Sequence, residues 1–349
     1  MIVSFYDKNF VPLQNNASLN VSNWSLKRKA VDLDDFTATC EPFLENINPT
    51  FVIMADDRGR YKYGAFAGVP QLTNANQTEI QATDLKNYFN NTIYIQFGTY
   101  TTVADLFQAV TTAFMSQVNQ SSFTIDFVMT DISSVNLATL VPNADEYQTI
   151  NVWEDIFKPY MKYYNLFMTS QLDIVNKKII YTFSRTDKVE KTLHLYEYGY
   201  KNYGKWVASL NECQTILLTP TQLYTGTPYI LLNNNVITSD LTIRDLYPIK
   251  KDIVLKEIES DDPDEVTSAL SEGVAECIGK LAEARFNESV EIDVNNTPYE
   301  NDEFTTSYNI YTSRGVFYKK LPLGIISEAN TGKKVITIGY KADDLILYL

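Results

Sequence analysis

Apolar residues recur along this chain with two different periods, and the changes of period divide it. Through residues 1–97 the pattern nearly alternates and is broken every few residues by turn formers, as in short β-strands. Leu19, Val21 and Trp24-Ser25-Leu26 open the series, and Phe36-Thr37-Ala38-Thr39-Cys40 follows. Phe51-Val52-Ile53-Met54 is a continuous apolar run of the length expected for a buried strand. Asp56-Asp57-Arg58-Gly59 supplies a hairpin turn in which Gly59 tolerates positive φ. Arg60 to Tyr63 and Gly64 to Val69 form the return, and Glu79 to Ala82 and Thr92 to Phe97 complete a set that packs as a small barrel or sandwich.

From residue 98 to 185 the period lengthens. Thr101 or Thr102 caps a helix carrying Leu106, Val110, Phe114 and Met115 at helical spacing. Ser122 to Met129 reads as a strand. Thr149 opens a second helical pattern, Ile150 to Tyr164, with Trp153, Ile156, Phe157, Tyr160 and Tyr164 on one face. Pro159 lies inside it, so a kink or two short helices meeting there is expected, with Asn165 as a left-handed stop. Leu166 to Ile174, an Asn176-Lys177 turn and Lys178 to Ser184 then form a hairpin.

Residues 186–258 return to β pattern, with Thr215 to Leu218, Pro228 to Leu232, Val236-Ile237 and Ile253 to Ile258 as strands and Asn233 to Asn235 as a turn. In 259–303, Asp262-Pro263-Asp264-Glu265 is a capping box that opens a helix. Its apolar stripe is Val266, Leu270, Val274, Cys277, Ile278 and Leu281. Asn287 ends it, and Ser289 to Val294 alternates as a strand. Residues 304–349 add Phe304 to Tyr311, Val316 to Tyr318, Lys334 to Ile338 and Leu345 to Tyr348. The fold class is α+β, with β domains flanking α+β segments and the last strands rejoining an earlier β block.

Composition and chemistry narrow the function. The chain has 349 residues, 45% of them hydrophobic and 21% charged, an ordinary globular balance. No apolar run is long enough to span a membrane as a helix. The N-terminus lacks a secretory signal, which places synthesis in a cytoplasm. Three scattered cysteines, Cys40, Cys213 and Cys277, show no C-x-x-C spacing and read as reduced thiols. A net charge of −14 argues against nucleic acid as a bound ligand but suits a surface that nucleic acid slides past.

No phosphate-binding glycine loop is present. The single histidine, His194, stands in Leu193-His194-Leu195, where a structural role in a strand is the simpler reading. Carboxylates alone can run a glycosidase. The acidic clusters are Asp32-Leu33-Asp34-Asp35, Asp56-Asp57, Asp145-Glu146, Asp261 to Glu265 and Asp343-Asp344. Each reads better as a turn or cap, and none has the spacing of a calcium loop. Tyr196, Tyr198, Tyr200 and Tyr203, with Trp206, could stack sugar rings or simply form one aromatic face of a β segment. No catalytic, cofactor-binding or metal-ligating residue is assigned, and no cofactor is expected.

Three stretches together resemble the hub proteins at the tips of bacteriophage tails, the group that includes the trimeric baseplate hub of contractile phages and the N-terminal part of siphophage tail-associated proteins. They are Phe51 to Phe66 with Gln81-Ala82-Thr83-Asp84-Leu85, then Trp153 to Phe157 and Tyr164 to Phe167 with Lys178 to Phe183, and finally Pro248 to Ile258 with the capped helix and Leu281 to Ile292. The resemblance implies two small tube-like β domains, 1–97 and 186–258 with 304–349. An α+β domain (98–185) stands between them, and the helix–strand insertion of 259–303 packs on it. It further implies a homotrimer whose β domains alternate into a pseudo-six-fold ring. That ring would mate with a hexameric distal tail protein or tail tube, with receptor-binding or other baseplate proteins as further partners. DNA passes through without specific binding, and the protein belongs to the virion tail tip, assembled in the host bacterial cytoplasm. Many relatives continue into lysin or fibre domains beyond the point where this sequence ends, so the resemblance implies no enzyme activity. The alternatives are a carboxylate-based cell-wall glycan hydrolase and a monomeric glycan-binding module.

Overall fold

The structure is a computed structural model. It describes all residues except 14–17, 43–46, 74–76, 119–122, 138–146, 205–212, 219–228, 233–251, 258–260, 267, 270–287, 312–316 and 340–349. The chain divides into two compact units, residues 1–201 with 291–338, and residues 202–290 with 339–349. Strands dominate, with a few short helices, in an α+β architecture.

The first unit begins with antiparallel strands. These are β1 (Ile2–Tyr6), β2 (Leu19–Lys29), β3 (Asp35–Cys40), β4 (Phe51–Ala55) and β5 (Tyr61–Ala67). β4 lies between β1 and β5, and all five of its side chains are buried. This is the outcome its unbroken apolar run predicts. β1 fell outside the expected strands, although Val3 and Phe5 point inward and are fully buried. Short β6 (Gln71–Leu72), β7 (Thr78–Ile80) and β8 (Ala82–Asp84) extend the edges, β7 along β3 and β8 along β5. The expected single strand from Glu79 to Ala82 is therefore two. Between them the Gln81 carbonyl accepts the Gly68 amide at 2.9 Å, outside either ladder. Val3, Phe5, Leu26, Cys40, Val52, Met54 and Ile80 form the core of this block.

A 3-10 turn over Leu85–Phe89 leads into β9 (Thr92–Gln96) and helix α1 (Val103–Gln117). Thr102 caps α1 in a reciprocal box. Its hydroxyl accepts the Asp105 amide at 3.1 Å, while the Asp105 carboxylate accepts the Thr102 amide at 3.0 Å. Leu106, Val110 and Phe114 are fully buried, as their spacing requires. β10 (Thr124–Val128) follows, and β11 (Tyr147–Asn151) pairs antiparallel with β9 as a two-stranded ribbon.

The second helical pattern starts later than expected. Thr149 and Ile150 belong to β11, and the cap is Asn151, whose side chain accepts the Trp153 and Glu154 amides at 3.1 Å each. A wide π-helical turn, Val152–Phe157, then meets α2 (Lys158–Tyr164), with Pro159 in the first turn of α2. Two helical segments thus meet where the proline predicted a break. Asn165 closes α2 with φ +53°. The hairpin is β12 (Leu166–Asp173) with β13 (Lys178–Arg185), and β10 adds in parallel to β13.

Aromatic side chains fill the space between α1, α2 and this sheet. Phe89 is at its centre, with its ring centroid 4.6 to 6.0 Å from those of Tyr88, Phe114, Phe127, Phe157 and Tyr181. The hairpin also presses on the first block. A Cβ on Gly64 of β5 would come within 2.7 Å of the Tyr61 hydroxyl and 2.9 Å of Leu172 Cδ1 of β12, so a side chain there has no room.

The strand β14 (Val189–His194) ends at His194, and Leu195 already belongs to a 3-10 turn, one residue short of the expected strand. After it come β15 (Tyr200–Gly204), β16 (Cys213–Leu218), β17 (Tyr229–Leu232), β18 (Asp252–Glu257) and β19 (Glu288–Asp293). In the second unit β16 is central, antiparallel to β17 and parallel to β18. Asp262 caps the start of its helix by accepting the Asp264 amide at 2.8 Å, with residues 263–266 helical. The body of that helix, Val236-Ile237, the Asn233 to Asn235 turn and Leu345 to Tyr348 lie outside the described residues.

β20 (Thr306–Tyr311), β21 (Phe317–Ala329) and β22 (Lys334–Gly339) return to the first unit. β20 lies parallel to β14, and β21 pairs with β2 from Ser25 opposite Ala329 to Lys29 opposite Ile325. The last strands do rejoin an earlier block.

Candidate functional site

The acidic clusters have structural roles wherever the chain is described. Asp56 occupies the β4–β5 turn, where Gly59 has φ +76°. Its carboxylate accepts the Arg58 and Arg60 amides at 2.9 Å each and the Arg60 guanidinium at 2.6 Å. The Arg60 amide foremost holds Asp56 below the usual carboxylate range. Asp57 pairs with the Met1 ammonium group. Asp145-Glu146 and Asp343-Asp344 lie outside the described residues.

Asp32, Asp34 and Asp35 behave differently. The first two enter a buried ionic knot built around Lys86, a residue that sequence reasoning did not single out. Lys86 sits in the 3-10 turn and is 1% exposed, and Asp84 before it is 4% exposed. The Lys86 ammonium donates to the Asp32 carbonyl at 2.6 Å, the Asp34 carboxylate at 2.7 Å and the Lys29 carbonyl at 3.0 Å. It also lies 3.3 Å from Asp84 Oδ2. Asp84 caps the turn by accepting the Lys86 amide at 3.0 Å, and it accepts the Asp34 amide at 2.6 Å. Lys158 of α2, also buried, reaches Asp32 at 3.5 Å and Glu154 at 3.6 Å. Asp35 stays on the surface with Lys29.

Burial opposes the Lys86 ammonium, but the charges of Asp34 and Asp84 outweigh it and hold the group above the ordinary lysine value. Burial, and then the like charge of Asp34, pushes the Asp84 carboxyl up to about 7, against Lys86 and two amide donors. The Tyr63 hydroxyl is buried with no hydrogen-bond partner among the described residues. A nucleophilic lysine needs a free electron pair and a path for substrate. This ammonium is enclosed by four acceptors, so the chemistry on offer is charge fixation. The knot joins the loop after β2 to the 3-10 turn and, through Lys158, to α2. The signal in the sequence was Asp84-Leu85-Lys86, two charges flanking a core leucine about fifty residues after the acidic cluster of Asp32, Asp34 and Asp35.

The sole histidine is placed among aromatic rings. His194 stacks on Tyr311 at 5.2 Å and lies 5.4 Å from Tyr196. The tyrosine series does not share one face. Tyr196 joins His194, whereas Tyr198 meets the edge of Tyr299 at 5.6 Å. The Tyr200 and Tyr203 side chains and Trp206 are outside the described residues. Cys40 is fully buried, and burial pushes its thiol up to about 11, which makes it inert. Among the described residues no cluster of His, Cys, Asp and Glu could hold a metal ion, and no helix is long and apolar enough to cross a membrane.

No protein-family model and no curated protein sequence matches the chain. Solved structures do, over nearly its full length. The 43 kDa tail protein of prophage MuSo2 from Shewanella oneidensis is 11% identical with a TM-score of 0.51, the match covering 97% of both chains. The prophage tail protein gp18 from Listeria monocytogenes EGD-e is 10% identical with a TM-score of 0.50, covering 99% of this chain and 97% of that one. A chain of the phage P2 baseplate, in its activated conformation with Ca, is 9% identical with a TM-score of 0.51, covering 97% and 98%. From end to end, this chain has the fold of phage tail and baseplate proteins.

Proposed function

We propose that this protein is a structural component of a phage or prophage tail tip, a baseplate hub carried in the virion and assembled in the cytoplasm of its bacterial host. The observation that carries the reading is the end-to-end likeness to two prophage tail proteins and a baseplate chain. A borrowed domain would have matched over part of the chain only. In this reading the protein is not an enzyme. Asp56, Asp262 and Asp34 support that, because they serve a turn, a cap and an ion pair.

Three copies form a ring, and two β domains from each give it pseudo-six-fold symmetry. The ring joins the hexameric tail tube or distal tail protein to the tip, with receptor-binding proteins attached around it. Closed symmetry predicts a defined mass. Light scattering of the purified chain should give about three times the chain mass, and electron micrographs should show a three-fold ring. A monomer that turns over cell-wall glycan would instead establish the hydrolase reading.

The net charge of −14 fits a channel that DNA passes without sticking, since carboxylates repel phosphates across the Debye length. Replacing channel-lining acids with lysine should slow genome ejection, more so at low salt. Ejection at the wild-type rate would remove the charge argument while leaving the ring intact.

A further inference from the structure

The charges of this chain are unevenly spread, and the uncharged stretch builds adjoining elements. Between Lys86 and Lys158 the sequence contains no lysine or arginine, and from Asn87 to Ile125 its only charged residue is Asp105. This stretch makes β9 and α1, and β11 pairs beside β9. Their inner faces are apolar and buried, through Ile93, Ile95, Leu106, Val110, Phe114 and Ile150. Their outer faces are exposed yet uncharged past the first turn of the helix. Helix α1 shows Gln108, Thr112 and Ser116, and the ribbon shows Thr92, Tyr94, Gln96, Tyr147 and Thr149.

Two features make this face rigid. Tyr94 and Tyr147 stack flat, 4.9 Å apart with planes at 13°, while 57% and 60% exposed. The Gln117 side-chain amide donates to the Tyr94 carbonyl at 2.7 Å and accepts the Tyr94 amide at 2.9 Å. It takes the place of a neighbouring strand's peptide, so that edge of β9 is closed to strand addition. The ribbon therefore offers its face rather than its edge. Exposed tyrosine and missing charge are the marks of an interface core, and a pre-stacked pair loses little entropy on binding.

We propose that this uncharged helix–ribbon face is where one copy of the chain meets another. The argument for a second copy as occupant is electrostatic. Every copy carries −14, so copies repel wherever their acids are brought together. A contact between them is cheapest through the face that has none. The proposal rests on the ring reading above and supplies its contact surface.

The test combines Tyr94→Glu with Thr112→Glu, which buries two uncompensated carboxylates in any contact through this face. Val175→Glu is the control, at the tip of the β12–β13 hairpin, 89% exposed and outside α1, β9 and β11. Light scattering of the full chain should show the wild type and Val175→Glu at about three chains, and the double variant at one chain with an unchanged thermal midpoint. A photo-crosslinking residue at Tyr147 of the otherwise wild-type protein should join two copies, which decides the matter if the double variant fails to fold. A double variant that stays at three chains, or a Tyr147 crosslink that captures only a different protein, overturns this surface and leaves the ring standing. A wild type that remains one chain at all concentrations overturns the ring and the surface together.

Discussion

Lys86→Met should lower the stability of the first unit by about 3–5 kcal/mol, the range for removing one member of a buried ion pair. The methionine fills the space of the lysine stem, so the loss reports charge and not volume. Without the ammonium, Asp34 and Asp84 face each other in a dry site (Asp84 4% exposed) with only amide donors to hold them. The pH dependence follows from the Asp84 shift. An acid raised to about 7 in the folded state has a normal value near 4 when unfolded. Its stabilising effect is full below about 4 and is lost as pH rises through about 7. Removing Lys86 raises that carboxyl further, so the deficit of the variant should widen from about pH 4 to neutrality and narrow on acidification. Calorimetric scans of wild type and variant across that range provide the measurement. A deficit below about 1 kcal/mol at pH 7, in the range of a surface pair, would show that water reaches the knot.

Phe89→Ala should cost a similar amount, about 3–5 kcal/mol, for a different reason. Phe89 is fully buried, and its ring touches neighbours from the 3-10 turn, α1, β10, the π-helical turn and β13. Truncation leaves a hole that five rigid rings cannot close, because aromatic side chains repack poorly. The effect should be independent of pH between 5 and 8, which separates it from the Lys86 variant. Phe89→Leu should recover more than half of the loss, as read from the denaturant midpoint at constant slope. A loss of under about 1.5 kcal/mol for Phe89→Ala would mean that the aromatic cluster collapses around the gap.

Local chemistry was the part of the fold open to sequence reasoning. The Thr102 cap, the Gly59 turn, the left-handed Asn165 and the β12–β13 hairpin each depend on residues within a few positions of one another. The start of the second helix was misread because Thr149 and Ile150 fit the helical stripe as well as they fit β11. Only the Asn151 side chain, turned toward the Trp153 and Glu154 amides, decides the boundary. The parallel partners of β13 and β20 were invisible, since nothing in the Thr124–Val128 or Val189–His194 sequence names a strand more than fifty residues away. The ionic knot was half legible. Asp32 and Asp34 stood out as a cluster, but Lys86 did not, because three of its acceptors are two backbone carbonyls and an acid from a loop about fifty residues earlier. The helix–ribbon face was present in the sequence as a missing class of residue, which motif reading does not notice.

The pairing of β2 with β21 sets a timetable for synthesis. Ser25 leaves the ribosome about 300 residues before its partner Ala329 exists. At about 5–20 residues per second that is roughly 15 to 60 s. Throughout that interval the Leu26 to Lys29 edge carries open amide and carbonyl groups able to pair with another nascent chain. Lys27, Arg28 and Lys29 lie in this edge, consecutive positive charges in an otherwise acidic protein. Mutual repulsion between such edges on neighbouring ribosomes would guard the strand until its own partner arrives.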